Sequence, residues 1–216
     1  MNVLRVLPII TVCVSVAPAS FAQELKPEPI GHGVLDIRAA FPNFKQLPEV
    51  ATALSVSTTD VPGHGLGLVF GAHWYPARIG VMTLGLGGEW LLSHGTDHFP
   101  PTQTGGPEGP AIKTTFSSIS PQISFNFGKA DGWSYISGGI GSARFQTERE
   151  DRPLTGSDQR VKALNYGGGA RWFAKKHLAL SLDVRFYAVS PQEATATRPA
   201  VPRASHFVLN AGIAVK

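Results

Sequence analysis

The sequence predicts an all-β fold, an eight-stranded antiparallel up-and-down transmembrane β-barrel, and three observations support this prediction. Eight segments alternate large apolar residues with small or polar ones at a period of two, as β-strands do. The connections between these segments alternate between long and short. Only 16% of the 216 residues are charged, whereas a typical soluble domain has about 25%. Beyond residue 22, no apolar run approaches the roughly 20 residues of a membrane-spanning helix.

The start of the chain has the features of a secretory signal peptide. A short basic start is followed by a mostly apolar run over residues 7–16 and by the small-x-small site Ser20-Phe21-Ala22. Cleavage there would also remove Cys13, the one cysteine of the sequence, so we expect neither disulfides nor cysteine-based metal sites. The predicted organisation is a signal peptide over residues 1–22, a short periplasmic segment over 23–32 and an outer-membrane β-barrel over 33–216.

The first four strand-like runs each have one face that is almost free of polar atoms. We predict that this apolar face points out of the barrel and that the small or polar face points into it. The predicted outward residues are Leu35, Ile37, Ala39 and Phe41 in the first run; Leu66, Leu68, Phe70, Ala72 and Trp74 in the second; Met82, Leu84, Leu86, Gly88, Trp90 and Leu92 in the third; and Ile119, Pro121, Ile123, Phe125 and Phe127 in the fourth.

The fifth run, residues 133–147, is rich in glycine, and its pattern leaves the facing open. The last three runs alternate as clearly as the first four. Their predicted outward residues are Leu164, Tyr166, Gly168, Ala170 and Trp172; Leu178, Leu180, Leu182, Val184 and Phe186; and Phe207, Leu209, Ala211, Ile213 and Val215.

The connections are typical of an outer-membrane barrel, which has short periplasmic turns and longer external loops. We predict three short turns and four long external loops, and one short amphipathic turn or helix over residues 44–54. The short turns are predicted at Pro76-Ala77-Arg78, residues 128–132 and Lys175-Lys176-His177, and the long loops at residues 42–63, 95–113, 148–159 and 190–204.

The apolar faces of the eight strands indicate a lipid environment, because the chain supplies no helices that could cover all of them. In hydrocarbon every backbone donor and acceptor must be paired, and a sheet achieves this only by closing on itself. Aromatic residues mark the two water interfaces of such barrels. We predict that the four tryptophans, Trp74, Trp90, Trp133 and Trp172, belong to these aromatic girdles. The alternative is a soluble lipocalin-like barrel, which would place the apolar face inside.

Two glycine-rich strands strengthen a family resemblance that covers nearly the whole chain after the signal peptide. With Gly85-Leu86-Gly87-Gly88 and Gly167-Gly168-Gly169-Ala170-Arg171-Trp172, the sequence resembles small bacterial outer-membrane β-barrel proteins of the OmpA and OmpX type. The resemblance implies insertion by the barrel-assembly machinery, surroundings of outer-membrane lipid, and loops that could bind an extracellular partner. We expect a monomer.

The predicted inward face carries three acidic and three basic side chains, whose formal charges cancel. Buried charges are tolerated when they are paired and hydrogen-bonded. We therefore predict an ion-pair network that plugs the lumen, with a gated path for protons or ions as the alternative. Its predicted members are Asp36, Arg38, Glu89, Arg171, Asp183 and Arg185.

Other patterns that could carry chemistry favour simpler interpretations. His94, Asp97 and His98 could form a weak metal site, but a solvated loop is the prediction. Ser205 and His206 are neighbours on a strand and would face opposite sides, so they cannot cooperate in hydrolysis. Glycines at 139 and 141 lack the final glycine and helix of a nucleotide-binding motif. We expect no metal, no cofactor and no catalytic residue.

The charges are scattered along the sequence and form no basic stripe, which argues against nucleic-acid binding. The resulting prediction is a non-enzymatic outer-membrane barrel with a structural or adhesin-like role through its four long external loops. The alternative from another class is a narrow porin-like pore for ions or very small solutes. A soluble lipocalin-like binder is the third possibility.

Overall fold

The computed structural model describes residues 28–99, 109–151, 159–194 and 200–216. The predicted signal peptide and the first residues of the predicted periplasmic segment lie outside this described part. Eight strands account for most of it: β1 (Gly33–Asn43), β2 (Leu66–Ile79), β3 (Met82–His98), β4 (Ala111–Lys129), β5 (Gly132–Arg149), β6 (Val161–Lys175), β7 (Leu178–Val189) and β8 (Ala204–Val215). They form one closed barrel in sequence order, and every pairing, including that of β1 with β8, is antiparallel. The predicted up-and-down barrel is confirmed.

The facing of the strands agrees with the period of two in the sequence. On β7, for example, Leu182 is 49% exposed whereas the neighbouring Asp183 is buried. The glycine-rich β5, which the pattern left open, has its odd-numbered side chains inside: Tyr135 and Ser137 are buried, and Ile136 between them is exposed. The outer surface of the barrel is therefore apolar and its interior is polar over the middle of every strand.

The first short turn lies further along the chain than predicted. Pro76 does not end β2 but lies within the register shift between Trp74 and Ala77, where a missing backbone N–H is tolerated. Pairing then continues to Ile79, opposite Met82. The turn residues are Gly80 and Val81, and Gly80 has a positive φ of 61°, which glycine adopts without strain.

Three strands are longer at the long-loop end than predicted. β3, β4 and β5 have 17, 19 and 18 residues, although about 9–11 residues suffice to cross a bilayer. Both ends of the predicted loop over residues 95–113 are in fact strand. They pair with each other from Gly95 opposite Thr114 to His98 opposite Ala111. The prediction missed these ends because their outward residues, such as Lys113, are polar and so break the apolar alternation.

A short helix, α1 (Pro48–Leu54), lies in the first long connection, as predicted. Proline in its first turn suits a position that needs no N–H donor, and the left-handed Ser55 with φ 55° ends it. Its apolar face, with Val50 and Leu54, packs together with Ile112 of β4 and Ala204 of β8. The helix thereby covers the long-loop end of the barrel. No helix in the described residues is long and apolar enough to cross a membrane.

Candidate functional site

The structure brings the six predicted charged residues together halfway along the barrel interior. Arg38 is the centre of the network because it contacts all three carboxylates. Its Nε lies 2.8 Å from Oδ1 of Asp36, its Nη2 lies 2.7 Å from Oε2 of Glu89, and its Nη1 lies 3.0 Å from Oδ1 of Asp183. The side chains of these four residues are at most 1% exposed.

The other two arginines complete the network, so that each carboxylate meets two guanidinium groups. Arg171 Nη2 donates to Oδ2 of Asp36 at 2.6 Å. Arg185 Nε lies 3.0 Å from Oε2 of Glu89 and 2.9 Å from Oδ1 of Asp183. Three acids and three bases thus balance inside the barrel, which is the arrangement that makes burial of charge tolerable.

Neutral side chains make further hydrogen bonds to the network, and sequence reasoning missed them. Tyr187 donates to Glu89 at 2.6 Å, and both Tyr135 and Asn210 donate to Asp183, at 2.8 and 3.0 Å. Arg185 donates to Asn165 and Ser137, at 2.9 and 2.8 Å. Tyr187, Asn165 and Asn210 alternate with the predicted outward residues of their runs, and this alternation places them on the predicted inward face. Tyr135 could not be placed in this way, because the facing of its run was left open.

Glycines on the barrel wall make room for two members of the network. A Cβ atom added to Gly71 would lie 2.6 Å from Oδ1 of Asp36, and one added to Gly169 would lie 2.8 Å from the hydroxyl oxygen of Tyr135. Real Cβ atoms do not approach other atoms so closely. Gly71 and Gly169 therefore leave space for a charged and an aromatic side chain in a narrow lumen.

Aromatic layers close the lumen on both sides of the network. At the long-loop end Phe44, Phe116, Phe145 and His206 pack together, and Phe145 stacks on His206 with ring centroids 4.5 Å apart. At the turn end the described part of the N-terminal segment places Ile30 in a cluster with Tyr75 and Trp133, and Phe173 stacks on Trp133 at 5.0 Å. Side chains of the described residues therefore occupy the lumen at both ends and in the middle.

Trp133 does not belong to the predicted aromatic girdle. It is 3% exposed and points into the barrel, where its ring lies edge-on to Tyr75 at 5.9 Å. Its position beside a short turn suggested an interfacial role, but the odd-numbered residues of β5 face inward. The other three predicted members, Trp74, Trp90 and Trp172, are 59%, 48% and 53% exposed on the outer surface.

The remaining candidates do not converge on a site. His94 and His98 lie on one face of β3 and Asp97 on the other, and no group of three metal-ligating side chains occurs among the described residues. Ser205 is exposed while His206 is fully buried, so their opposite facing agrees with the prediction.

Comparison with known proteins supports the fold. No family model and no curated protein matches the chain. The barrel is similar to the crystal structure of Neisserial surface protein A, with 14% sequence identity and a TM-score of 0.52 over 85% of this chain and 96% of that one. It is also similar to Ail, the attachment invasion locus protein of Yersinia pestis, solved with the heparin analogue sucrose octasulfate (12% identity, TM-score 0.45, 86% of this chain and 99% of that one).

A third similar structure is the outer membrane enzyme PagL, with 13% identity and a TM-score of 0.43 over 85% of this chain and 99% of that one. The likeness to Neisserial surface protein A shows a shared fold. The prediction made from the sequence pattern is thereby confirmed: the chain has the fold of the small eight-stranded barrels of bacterial outer membranes.

Proposed function

We propose that this protein is a non-enzymatic barrel of the bacterial outer membrane that holds four connections at the cell surface and binds an extracellular partner through them. The observation that carries this proposal is the inverted distribution of polarity, with large apolar side chains outside and a charge network inside. A soluble lipocalin-like barrel would have the opposite distribution.

The outer surface supports the membrane location. Among the described residues, thirty large hydrophobic ones are exposed, far more than the scattered single residues that are normal on a soluble protein. Leu180, Leu182, Val184 and Phe186 follow one another on the outward face of β7, each at least 37% exposed. Removing such surfaces from water is worth about 25 cal/mol per Å², so lipid is their favourable surrounding.

The filled lumen supports a structural or surface-interaction role over a pore. A solute that crosses the barrel would have to displace the aromatic layer around Phe116, then the guanidinium of Arg38, then the layer around Trp133. Arg38 is held by three carboxylates at 2.7–3.0 Å. Eight strands enclose an interior that side chains just fill.

The long-loop end supports an interaction surface outside the membrane. There β3, β4 and β5 extend beyond the length that a bilayer requires, and their outer face becomes polar. Lys113 forms an ion pair with Glu150 at 3.3 Å, and Arg149 donates to the carbonyl oxygen of Leu54 at 2.9 Å. The second contact ties this strand extension to α1, so that a paired, rigid platform presents the connections. Rigid scaffolds with variable loops are a common basis of recognition.

The proposal predicts that the protein is found in the outer-membrane fraction and is heat-modifiable. A folded barrel resists unfolding by sodium dodecyl sulfate, so unheated and boiled samples should migrate differently on a gel. Recovery in the periplasmic fraction without a mobility shift would instead indicate a soluble binder and contradict the proposal.

The filled lumen predicts that the protein shows no steady conductance in planar bilayers. We also expect none from Arg185→Ala, because Arg38 and both aromatic layers still block the lumen in this variant. Single-channel recording of both proteins after insertion has been checked by heat modifiability gives the answer. Uniform, reproducible conductance steps in the unmodified protein would favour the pore.

A further inference from the structure

We propose that the turn end of the barrel holds an anionic phospholipid, with its phosphate among a cluster of lysines and an acyl chain in an adjacent groove on the outer wall. The inference rests on the proposed membrane location, which it extends to a defined lipid site. Two neighbouring cavities of the structure support it.

The first cavity, of about 490 Å³, is lined by more cationic than anionic groups. Four ammonium groups face two carboxylates, those of Glu28 and Asp131, and Phe173 supplies an apolar surface. The four lysines are Lys129, Lys175, Lys176 and Lys216. We call this group the lysine cluster. Such an excess of positive charge at a membrane surface attracts anionic headgroups, by about 1 kcal/mol per basic residue.

Lys216 is the partly desolvated member of the lysine cluster. Its Nζ lies 4.0 Å from the ring centroid of Phe173 and donates to the carbonyl oxygen of Ala130. Burial lowers the pKa of this amine, and the carboxylates of Glu28 and Asp131 oppose that shift only in part. A phosphate on the outer side of the lysine cluster, beside Lys129, would add to the negative charge that stabilises this amine in its charged form.

The second cavity, of about 330 Å³, is a groove on the outer wall that meets the first one at Asp131. Its lining includes the aromatic Phe127 and Trp172, the small Ser134 and Ala170, and the charged Asp131. The two aromatic side chains are 42% and 53% exposed, at the level where aromatic residues mark the membrane interface. The proposal places one acyl chain of the lipid between these two aromatic side chains.

The register of β4 connects the two cavities. Lys129 follows Phe127 by two residues on the same strand and is exposed like it, so that both lie on the outward face. A lipid whose chain lies beside Phe127 therefore has its headgroup beside Lys129. Charge complementarity and continuity with the apolar wall thus point to a phospholipid of the turn-end leaflet.

Quenching of Trp172 by chain-brominated lipids tests this proposal. In a Trp74→Phe, Trp90→Phe background, Trp172 remains the one exposed tryptophan, since Trp133 is buried inside. The protein is inserted into phosphatidylcholine vesicles that contain a minor fraction of either brominated phosphatidylglycerol or brominated phosphatidylcholine. We expect phosphatidylglycerol to be preferred beside Trp172 by about tenfold.

The lysine variant Lys129→Gln, Lys175→Gln, Lys176→Gln should reduce this preference to nearly one. The matched control is Arg160→Gln, Lys162→Gln, Arg203→Gln, which removes three charges at the opposite end and should keep the preference. An excess of inorganic phosphate should change little, because the acyl chain also holds the lipid.

Any of three results would overturn the lipid site. The two brominated lipids could quench Trp172 equally, both triple variants could lose the preference for phosphatidylglycerol equally, or inorganic phosphate could abolish this preference. Heat modifiability of the same samples distinguishes these results from a failure of the proposed function. Samples that are inserted and heat-modifiable but show no lipid preference would contradict the site alone.

Discussion

Replacement of Arg38 by alanine should lower the free energy of unfolding by about 3–5 kcal/mol. This arginine lies within 3.0 Å of all three buried carboxylates, so its removal leaves an uncompensated negative charge in the lumen. Arg171 and Arg185 remain, but the two cations cannot neutralise Asp36, Glu89 and Asp183 together. Denaturant-induced unfolding in lipid vesicles, followed by heat modifiability, measures the loss.

Two further variants separate charge from packing. Arg38→Met keeps most of the side-chain volume and should be nearly as unstable as Arg38→Ala, because the carboxylates still lose their shared partner. Arg78→Ala is the matched control, since Arg78 is exposed and, within the described part of the chain, donates only to the carbonyl oxygen of Gly80 at 3.2 Å. It should change stability by less than about 0.5 kcal/mol. A loss below about 1 kcal/mol for both Arg38 variants would mean that the network contributes little to stability.

The period of two explains why the wall of the barrel was predictable from the sequence. Each strand has one apolar and one polar face, and a shift by one residue would exchange the two. The same alternation predicted the six charged members of the network, because a charged residue between outward apolar residues must point into the barrel. Asp36 and Arg171 are 135 positions apart in the sequence, yet their facing alone placed both in the lumen.

Features that depend on length or on neutral side chains were less predictable. The outer residues of β3, β4 and β5 turn from apolar to polar towards the long-loop end. Hydrophobicity therefore no longer reveals these strand ends, although backbone pairing still includes them. Trp133 and Tyr135 have side chains that are common both at membrane interfaces and inside barrels, so the residue type alone does not place them. Their position is decided by the facing of β5, where glycines at 138, 139 and 141 obscure the alternation.

Introduction of a charge at Leu182 should destabilise the barrel by about 2–4 kcal/mol, the cost of arginine near the midplane of a bilayer. Leu182 lies halfway along β7, is 49% exposed and is paired with Ala170 and Ala211. In lipid the guanidinium of Leu182→Arg would enter hydrocarbon, whereas on a soluble barrel it would meet water. Unfolding by denaturant in vesicles measures the difference.

The matched control is Leu66→Arg, which makes the same substitution on the outer face but near the interface. Leu66 is 59% exposed at the long-loop end of β2, opposite His94. Arginine there should cost about 0–1 kcal/mol, because the cost falls with distance from the midplane. A large loss of stability at Leu182 with a small loss at Leu66 requires hydrocarbon around β7, since the two sites differ in their depth in the bilayer. Equally small effects at both positions would mean that water surrounds the wall, and the proposed membrane location would be wrong.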